Sequence, residues 1–597
     1  MGLTALLPLV VCLGVFAIPV LLSRRKISAR AHDYFVSSEY TPPTAIQNAS
    51  IAYALPLTTV AALFAWGASK DVWPAIVGAV SFGVGVWLLY TIRGPMLAFL
   101  SRALRRDQSV TLHEFIAKLH GNDARLRVLA SSLTVFALAG LTVAVTFALA
   151  ALLKPVMPDP VSPYLIAVCV LLGATGSVIW SGNSGVIRAA QTQLGVIYLG
   201  LFVATTLLIY AAMSGAPSLS PQATFAVLFV AACCIAFMIY RQTRYIDTSP
   251  FHKTRSGDSS GVETEPSGAG AFVRFEKVLN VSVSVFAGFV IAFAYIAVSG
   301  NDYLELIQDA ATATLASGTQ VSWLEIVSLV LLPLLYPLAD LSNWQRIAAF
   351  EKNNPGTDDT TRDTRAFRGL FRIYAIETPL IWLFLCMVGA LGAAAVFDQG
   401  IGMAEVAEQL LGQDNFITTG AVAFLLVAVF AMALAMMSSA FSASLCAIRY
   451  DILPALWPEL RSDAGSPAQQ AVAQQRSVIA GAAFYLVMLI AFGLVVGLGG
   501  GRLVFAFYCA QLAPVPLLLG PVIARARGGY GIVSAGWALA IVAVSAAIGI
   551  GAVAVHLATG VEAWFWAAVP ATLASGSLLF AIARLWPAST RNEERAN

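Results

Sequence analysis

Asp340 lies near the end of a largely apolar stretch, 321–344, seven residues after Pro333 and three after Pro337. A carboxylate inside a membrane is costly, so it faces protein or water and marks an ion or proton path by default. Proline in a helix removes a backbone hydrogen bond and kinks the chain, which frees polar groups to hold a ligand. A second stretch, 45–68, carries similar ingredients: Gln47, Asn48, Ser50 and Tyr53 ahead of Pro56. The chemistry these residues offer is ligation and proton carriage rather than bond making. Glu325 and Glu377 lie nearer the ends of their stretches and are expected to face water. No His-Glu-x-x-His, P-loop or Gly-x-Ser-x-Gly pattern occurs, so neither an enzyme nor an ATP-driven pump is expected. The 7 cysteines sit within apolar runs without metal-ligand spacing and read as small buried hydrophobes.

The elements that must position these residues follow from composition. Of 597 residues, 58% are hydrophobic and only 11% are charged. Mean hydropathy is +0.79. Soluble domains carry about 25% charged residues, so the class is a polytopic membrane protein. Lipid leaves only helices or closed barrels. Continuous apolar runs such as 477–499 favour helices over alternating barrel strands. Fifteen stretches are long enough to cross: 2–22, 45–68, 73–98, 127–153, 164–181, 190–213, 222–240, 276–299, 321–344, 373–397, 417–448, 477–499, 502–524, 531–557 and 562–584.

Placing the N-terminus outside puts 32 of the 35 Lys and Arg residues on the cytoplasmic side and leaves Lys70, Lys154 and Arg502 outside. Removing one early span would scramble that bias. Trp180, Trp323, Trp344, Trp564 and Trp566 are expected at the membrane interfaces. Ser256–Gly270 reads as a flexible linker. The expected setting is a bacterial inner membrane with the C-terminus in the cytoplasm. Lipid is the surrounding partner, and nothing points to nucleic acid.

Five short patterns recur in order at the expected helix ends: Ala31-His-Asp-Tyr-Phe-Val36, Ser109-Val-Thr-Leu-His-Glu-Phe-Ile116, Ser184-Gly-Val-Ile-Arg-Ala-Ala190, Asn343-Trp-Gln-Arg346 and Arg449-Tyr-Asp-Ile452. Through them the chain resembles the sodium:solute symporter family over roughly 31–452. The resemblance implies an all-α, LeuT-like core of two inverted five-helix repeats, 45–213 and 321–524. Residues 1–22 would form a peripheral helix, 222–299 a two-helix insertion with a cytoplasmic linker, and 531–584 two peripheral C-terminal helices.

It also implies a sodium ion, held by carbonyls of the first broken helix and hydroxyls of the eighth core helix. Counting from Asp33 places those carbonyls on Ala52 and Leu55. Counting back from Asp451 places the hydroxyl pair on Ala435 and Met436, which offer none. Ser438 and Ser439 lie in the next turn. They serve either as ligands after a gap or as small residues for close helix packing. Phe441-Ser442 stands where the family commonly has Asp-Ser.

These observations imply a secondary active transporter for a small organic solute, coupled to sodium or protons and working by alternating access. Asn48, Ser50 and Tyr53 would line the solute from one side, and Tyr336 and Asp340 from the other. Asp340, roughly 10 Å below Pro333 by helix rise, would gate the inner side or carry a proton. Another helix would supply its partner, because Arg346 is poorly phased for direct pairing. The alternative is a transporter-like solute sensor without sustained flux. No cofactor is expected beyond the candidate sodium ion.

Overall fold

The computed structural model describes residues 34–36, 43–69, 72–106, 108–157, 162–215, 223–238, 269–298, 322–353, 360–396, 402–413, 415–457, 467–497, 501–526 and 532–585. The expected span 2–22 and nearly all of the expected linker lie outside these residues.

Among the described residues the chain is helical and has no strand. The first half contains α1 (Pro43–Tyr53), α2 (Leu57–Ala68), α3 (Trp73–Thr91), α4 (Arg93–Arg105), α5 (Leu112–Leu119), α6 (Ala124–Leu153) and α7 (Pro163–Gly215). Next come α8 (Ala223–Met238) and α9 (Ala269–Val298). The second half contains α10 (Trp323–Ala339), α11 (Leu341–Asn353), α12 (Thr360–Val396), α13 (Met403–Gly412) and α14 (Phe416–Ala447). A π-helical turn (Ile448–Ile452) and the short α15 (Leu453–Leu456) come after it. The chain ends in α16 (Pro467–Gly497), α17 (Gly501–Ala510), α18 (Val515–Ala526), α19 (Ala535–Thr559) and α20 (Glu562–Leu585).

Among the described residues ten helices are long and apolar enough to cross a membrane, or eleven when the bent α1–α2 pair counts as one span. The fourteen expected spans after the first all fall on helix, but not all as separate full-length crossings. The two expected within 164–213 are joined in α7, which kinks at Gly182 (φ 61°, ψ −163°). Those expected at 222–240 and 276–299 contain shorter apolar helices, 223–238 and 284–298. Large apolar side chains stand exposed along α16, including Ile479, Leu486, Ile490 and Leu494. A water-soluble surface avoids such a face; a lipid-facing one requires it. The protein is an integral membrane protein.

Two of the expected spans are interrupted. Between α1 and α2 the axis bends by 63°. Pro56, extended at φ −63° and ψ 137°, has no N–H to continue the helix and begins the next one instead. The second interruption is not at the prolines. α10 runs through Pro333 and Pro337 and stops at Asp340, which is extended (φ −78°, ψ 112°). α2 and α10, one half of each broken helix, pack backbone to backbone against their neighbours. A methyl on Gly67 would lie 1.7 Å from the Cys386 carbonyl oxygen of α12. One on Gly85 of α3 would lie 2.2 Å from the Leu334 oxygen of α10. Small residues permit such close membrane-helix contacts. Behind the breaks, α14 is buried along most of its length.

Candidate functional site

The two interruptions meet. Asp340 ends α10, and its carboxylate caps α11: Ser342 N donates to Oδ1 at 3.0 Å and Asn343 N to Oδ2 at 3.2 Å. An aspartate suits this place, because its oxygens satisfy N–H groups that the helix start leaves open. Tyr53, the last residue of α1, donates to Asp340 Oδ1 at 3.1 Å. The Tyr53 and Tyr336 hydroxyls are 2.8 Å apart, and with its proton committed to Asp340, Tyr53 receives one from Tyr336. Tyr508 of α17 stacks on Tyr336, with ring centroids 5.3 Å apart. Asp340 is 2% exposed. Trp382 of α12 donates its indole N–H to the Ala54 carbonyl at 3.0 Å, holding one oxygen of the first break.

Asp340 thus finds its side-chain partner on another helix, and Arg346 makes no hydrogen bond to it. The Arg346 guanidinium lies over the Tyr53 ring, 4.8 Å from its centroid, and donates from Nη2 to Ser439 Oγ at 2.9 Å. Its Nη1 is buried without a hydrogen-bond partner. Ser438 turns its hydroxyl back to the Leu434 carbonyl at 2.7 Å. Of the expected sodium ligands, Ala52 and Leu55 are buried at the first break, as are both serines on α14. On the α14 side Ser438 donates its proton to its own helix and keeps its oxygen lone pairs, whereas Ser439 Oγ accepts from a cation.

Of the residues expected to line a solute, Tyr53, Tyr336 and Asp340 come together. Ser50 borders a neighbouring cavity and bonds back to the Ile46 carbonyl at 3.0 Å. Asn48 is buried with Oδ1 unpartnered, and no bond ties it to the other four. Two expectations fail outright. Glu377 is buried, not water-facing, and accepts a hydrogen bond from Tyr198 of α7. Trp344 is no interfacial side chain; it is 2% exposed and donates to the Val110 carbonyl at 2.7 Å. Hydropathy alone missed Arg346, Tyr508 and Trp382. Buried arginine and tryptophan donors beside a proline-marked break would have been the signal.

At the end of the bundle that α11 and the π-helical turn share, the short sequence patterns converge. Gln345 donates to the Phe35 carbonyl and, at 3.3 Å, to Ser442 Oγ. Asn183 donates to the Val36 carbonyl at 2.7 Å. Asp451, in the π-helical turn, accepts from Thr111 at 2.8 Å and Ser131 at 2.5 Å. His113 Nδ1 is 3.3 Å from Asp451 Oδ2 and must carry the proton there, since a carboxylate only accepts. Arg127 lies 3.7 Å from Asp451 and 2.5 Å from Glu114. A small cavity lined by His113, Thr134, Ala339, Gln511 and Pro514 separates this cluster from the second break.

No family model matches the chain, and no curated protein matches it. Solved structures do. A sodium-coupled sialic acid symporter, captured substrate-bound and outward-open, superposes with a TM-score of 0.61 at 16% identity, covering 98% of each chain. The described residues therefore share the fold of that structure.

Proposed function

We propose that this protein is a secondary active transporter of a small organic solute. Two inverted five-helix repeats, 45–213 and 321–524, would rock about the breaks within a bundle of about fifteen crossings. The N-terminus would be outside and the C-terminus in the cytoplasm of a bacterial inner membrane. The observation that carries the reading is the Tyr336–Tyr53–Asp340 chain, which joins the two broken helices at one buried carboxylate. Interrupted helices meeting near mid-membrane are where transporters of this architecture bind solute and ion. Asp340 carries the coupling proton: protonation would remove its acceptor charge and loosen both the Tyr53 contact and the α11 cap.

Sodium, held by Ala52, Leu55, Ser438 and Ser439, is the second reading, supported by the likeness to a sodium-coupled symporter. The Arg346 guanidinium on Ser439 Oγ weighs against it, since it brings a positive charge to one of the four ligands. The test uses proteoliposomes loaded with a pH dye and given a panel of organic acids, amino acids and sugars. We expect internal acidification with at least one solute, persisting when choline replaces sodium and lost in Asp340→Asn. Uptake that needs sodium and leaves internal pH unchanged would overturn proton coupling. No flux with any solute that nonetheless binds would favour a sensor.

A further inference from the structure

Beside the break cluster is a second set of polar groups that the transport reading does not use. A narrow cavity lies between α1, α11, the C-terminal end of α3 and the N-terminal half of α12. It is lined by Gln47, Ser50, Asn343, Arg346, Phe371 and Tyr374, among others. Nη1 of Arg346 and both amide atoms of Asn343 are buried without hydrogen-bond partners. The Tyr374 hydroxyl lies beside the Asn343 amide and interacts with it, though outside strict hydrogen-bond geometry. Arg346 is 3% exposed and Asn343 is 4%. Orphaned polar atoms at such depth are rare, and several around one cavity need a common explanation.

Charge supplies it. Arginine stays protonated, and a buried cation needs an anion close by. Asp340 balances that charge from nearby, but its oxygens accept from Ser342 N, Asn343 N and Tyr53, so no carboxylate bonds the guanidinium. Nη2 is spent on a neutral serine. What remains is one N–H edge of a guanidinium, an amide and a phenol, all turned to the same space. That is a donor set for a carboxylate. As it stands the cavity has room for about one water-sized group, which one carboxylate oxygen matches.

We propose that this cavity binds the carboxylate of an organic anion, with Arg346 as its counter-cation and Asn343 and Tyr374 as further donors. The assignment rests on the transport reading in naming that anion as the solute. It also fixes a charge balance. Arg346 and ionised Asp340 sum to zero, so an added carboxylate leaves one excess negative charge unless Asp340 takes a proton. The groups facing Asp340 are Tyr53 from α1, Tyr336 from α10, Arg346 from α11, Tyr374 from α12 and Tyr508 from α17. The tyrosines stay neutral near pH 7, so the proton goes to Asp340, and the anion binds more tightly at pH 5.5 than at pH 8.

The test is thermal unfolding of the purified full-length protein in lipid nanodiscs, with potassium acetate, propionate or benzoate against the corresponding amides and against potassium chloride. At saturating concentration we expect a carboxylate to raise the midpoint by roughly 2–5 °C, more at pH 5.5 than at pH 8, with no rise from amide or chloride. Arg346→Gln should abolish the rise. Asn343→Ala, which keeps the charge, should weaken it severalfold. Equal effects of acid and amide, or of acetate and chloride, would overturn the site in wild-type protein alone, however the variants fold. So would a rise that survives Arg346→Gln, or the lack of any rise with all three acids. The two readings fail separately: a shift without flux retains the site and removes transport, while proton-driven flux of a neutral solute without a shift does the reverse.

Discussion

Asp340 and Asp451 are both buried carboxylates at interruptions of helical geometry, yet their surroundings differ in kind. Each accepts three hydrogen bonds, but those of Asp451 come from two hydroxyls and a histidine N–H on other segments, with the Arg127 cation 3.7 Å away. Asp340 receives two backbone N–H groups of its own chain segment and one phenol, while the nearest cation bonds elsewhere. A buried charge tied to several segments is a fastener, because moving any partner leaves another unsatisfied. A carboxylate held by neutral donors alone, beside unfilled donors, can change protonation or partner at lower cost. The Asp451 cluster thus clamps α5, α6 and the π-helical turn, and the break cluster is left to work.

That contrast can be broken by experiment. Asp451→Ala should have the largest effect on the fold. It takes an acceptor from Thr111, Ser131 and His113 and leaves Arg127 only Glu114, and a cost of about 3–5 kcal/mol is expected for breaking a buried charge cluster. Thermal unfolding in nanodiscs reads it; a change below about 1 kcal/mol would mean the cluster is no clamp. Tyr53→Phe removes the contacts to Tyr336 and Asp340 and should cost roughly 1–3 kcal/mol, with one buried acceptor left short.

Asp340→Asn should cost only about 1 kcal/mol, since asparagine still caps α11. Its effect belongs in transport, as loss of the pH-dependent component. A stability loss as large as that of Asp451→Ala would erase the distinction between the two sites. Ser438→Ala should cost less still, below about 1 kcal/mol, because the hydroxyl bonds its own helix.

The smallest expected effect is at His120, which follows α5. Burial holds its pKa below the ordinary histidine value. The unfolded chain then binds the proton more readily, so stability present at neutral pH declines as pH falls below about 6.5. His120→Asn should flatten that acid limb in an unfolding series across pH. An unchanged slope would place the acid sensitivity elsewhere.

Hydropathy and proline made the spans and the first break legible, because both signals are local. Pro56 cannot donate, and the helix stops there. At the second break the prolines mislead. α10 survives Pro333 and Pro337, and the stop comes where Asp340 offers its side chain to the next two N–H groups, a choice that depends on α11 forming at all. Arg346 was hidden for a related reason. The apolar run ends at 344, so the residues after it resemble a loop, but α11 continues to Asn353 and buries its polar face. Trp344 and Glu377 were misplaced in the same way. Burial of a polar side chain depends on partners from distant segments, such as Ser439 and Tyr198, which no local window contains.

The glycine seams at Gly67 and Gly85 have a consequence for how such a chain can diverge. There is no room at either for even a methyl group, so the frame holding α2 and α10 tolerates almost no drift. The other halves, α1 and α11, by contrast, meet through side chains: Arg346, Asn343, Gln345 and Tyr53. Those can be exchanged one at a time without moving a backbone. A chain built this way can keep its scaffold while the side chains at the breaks change.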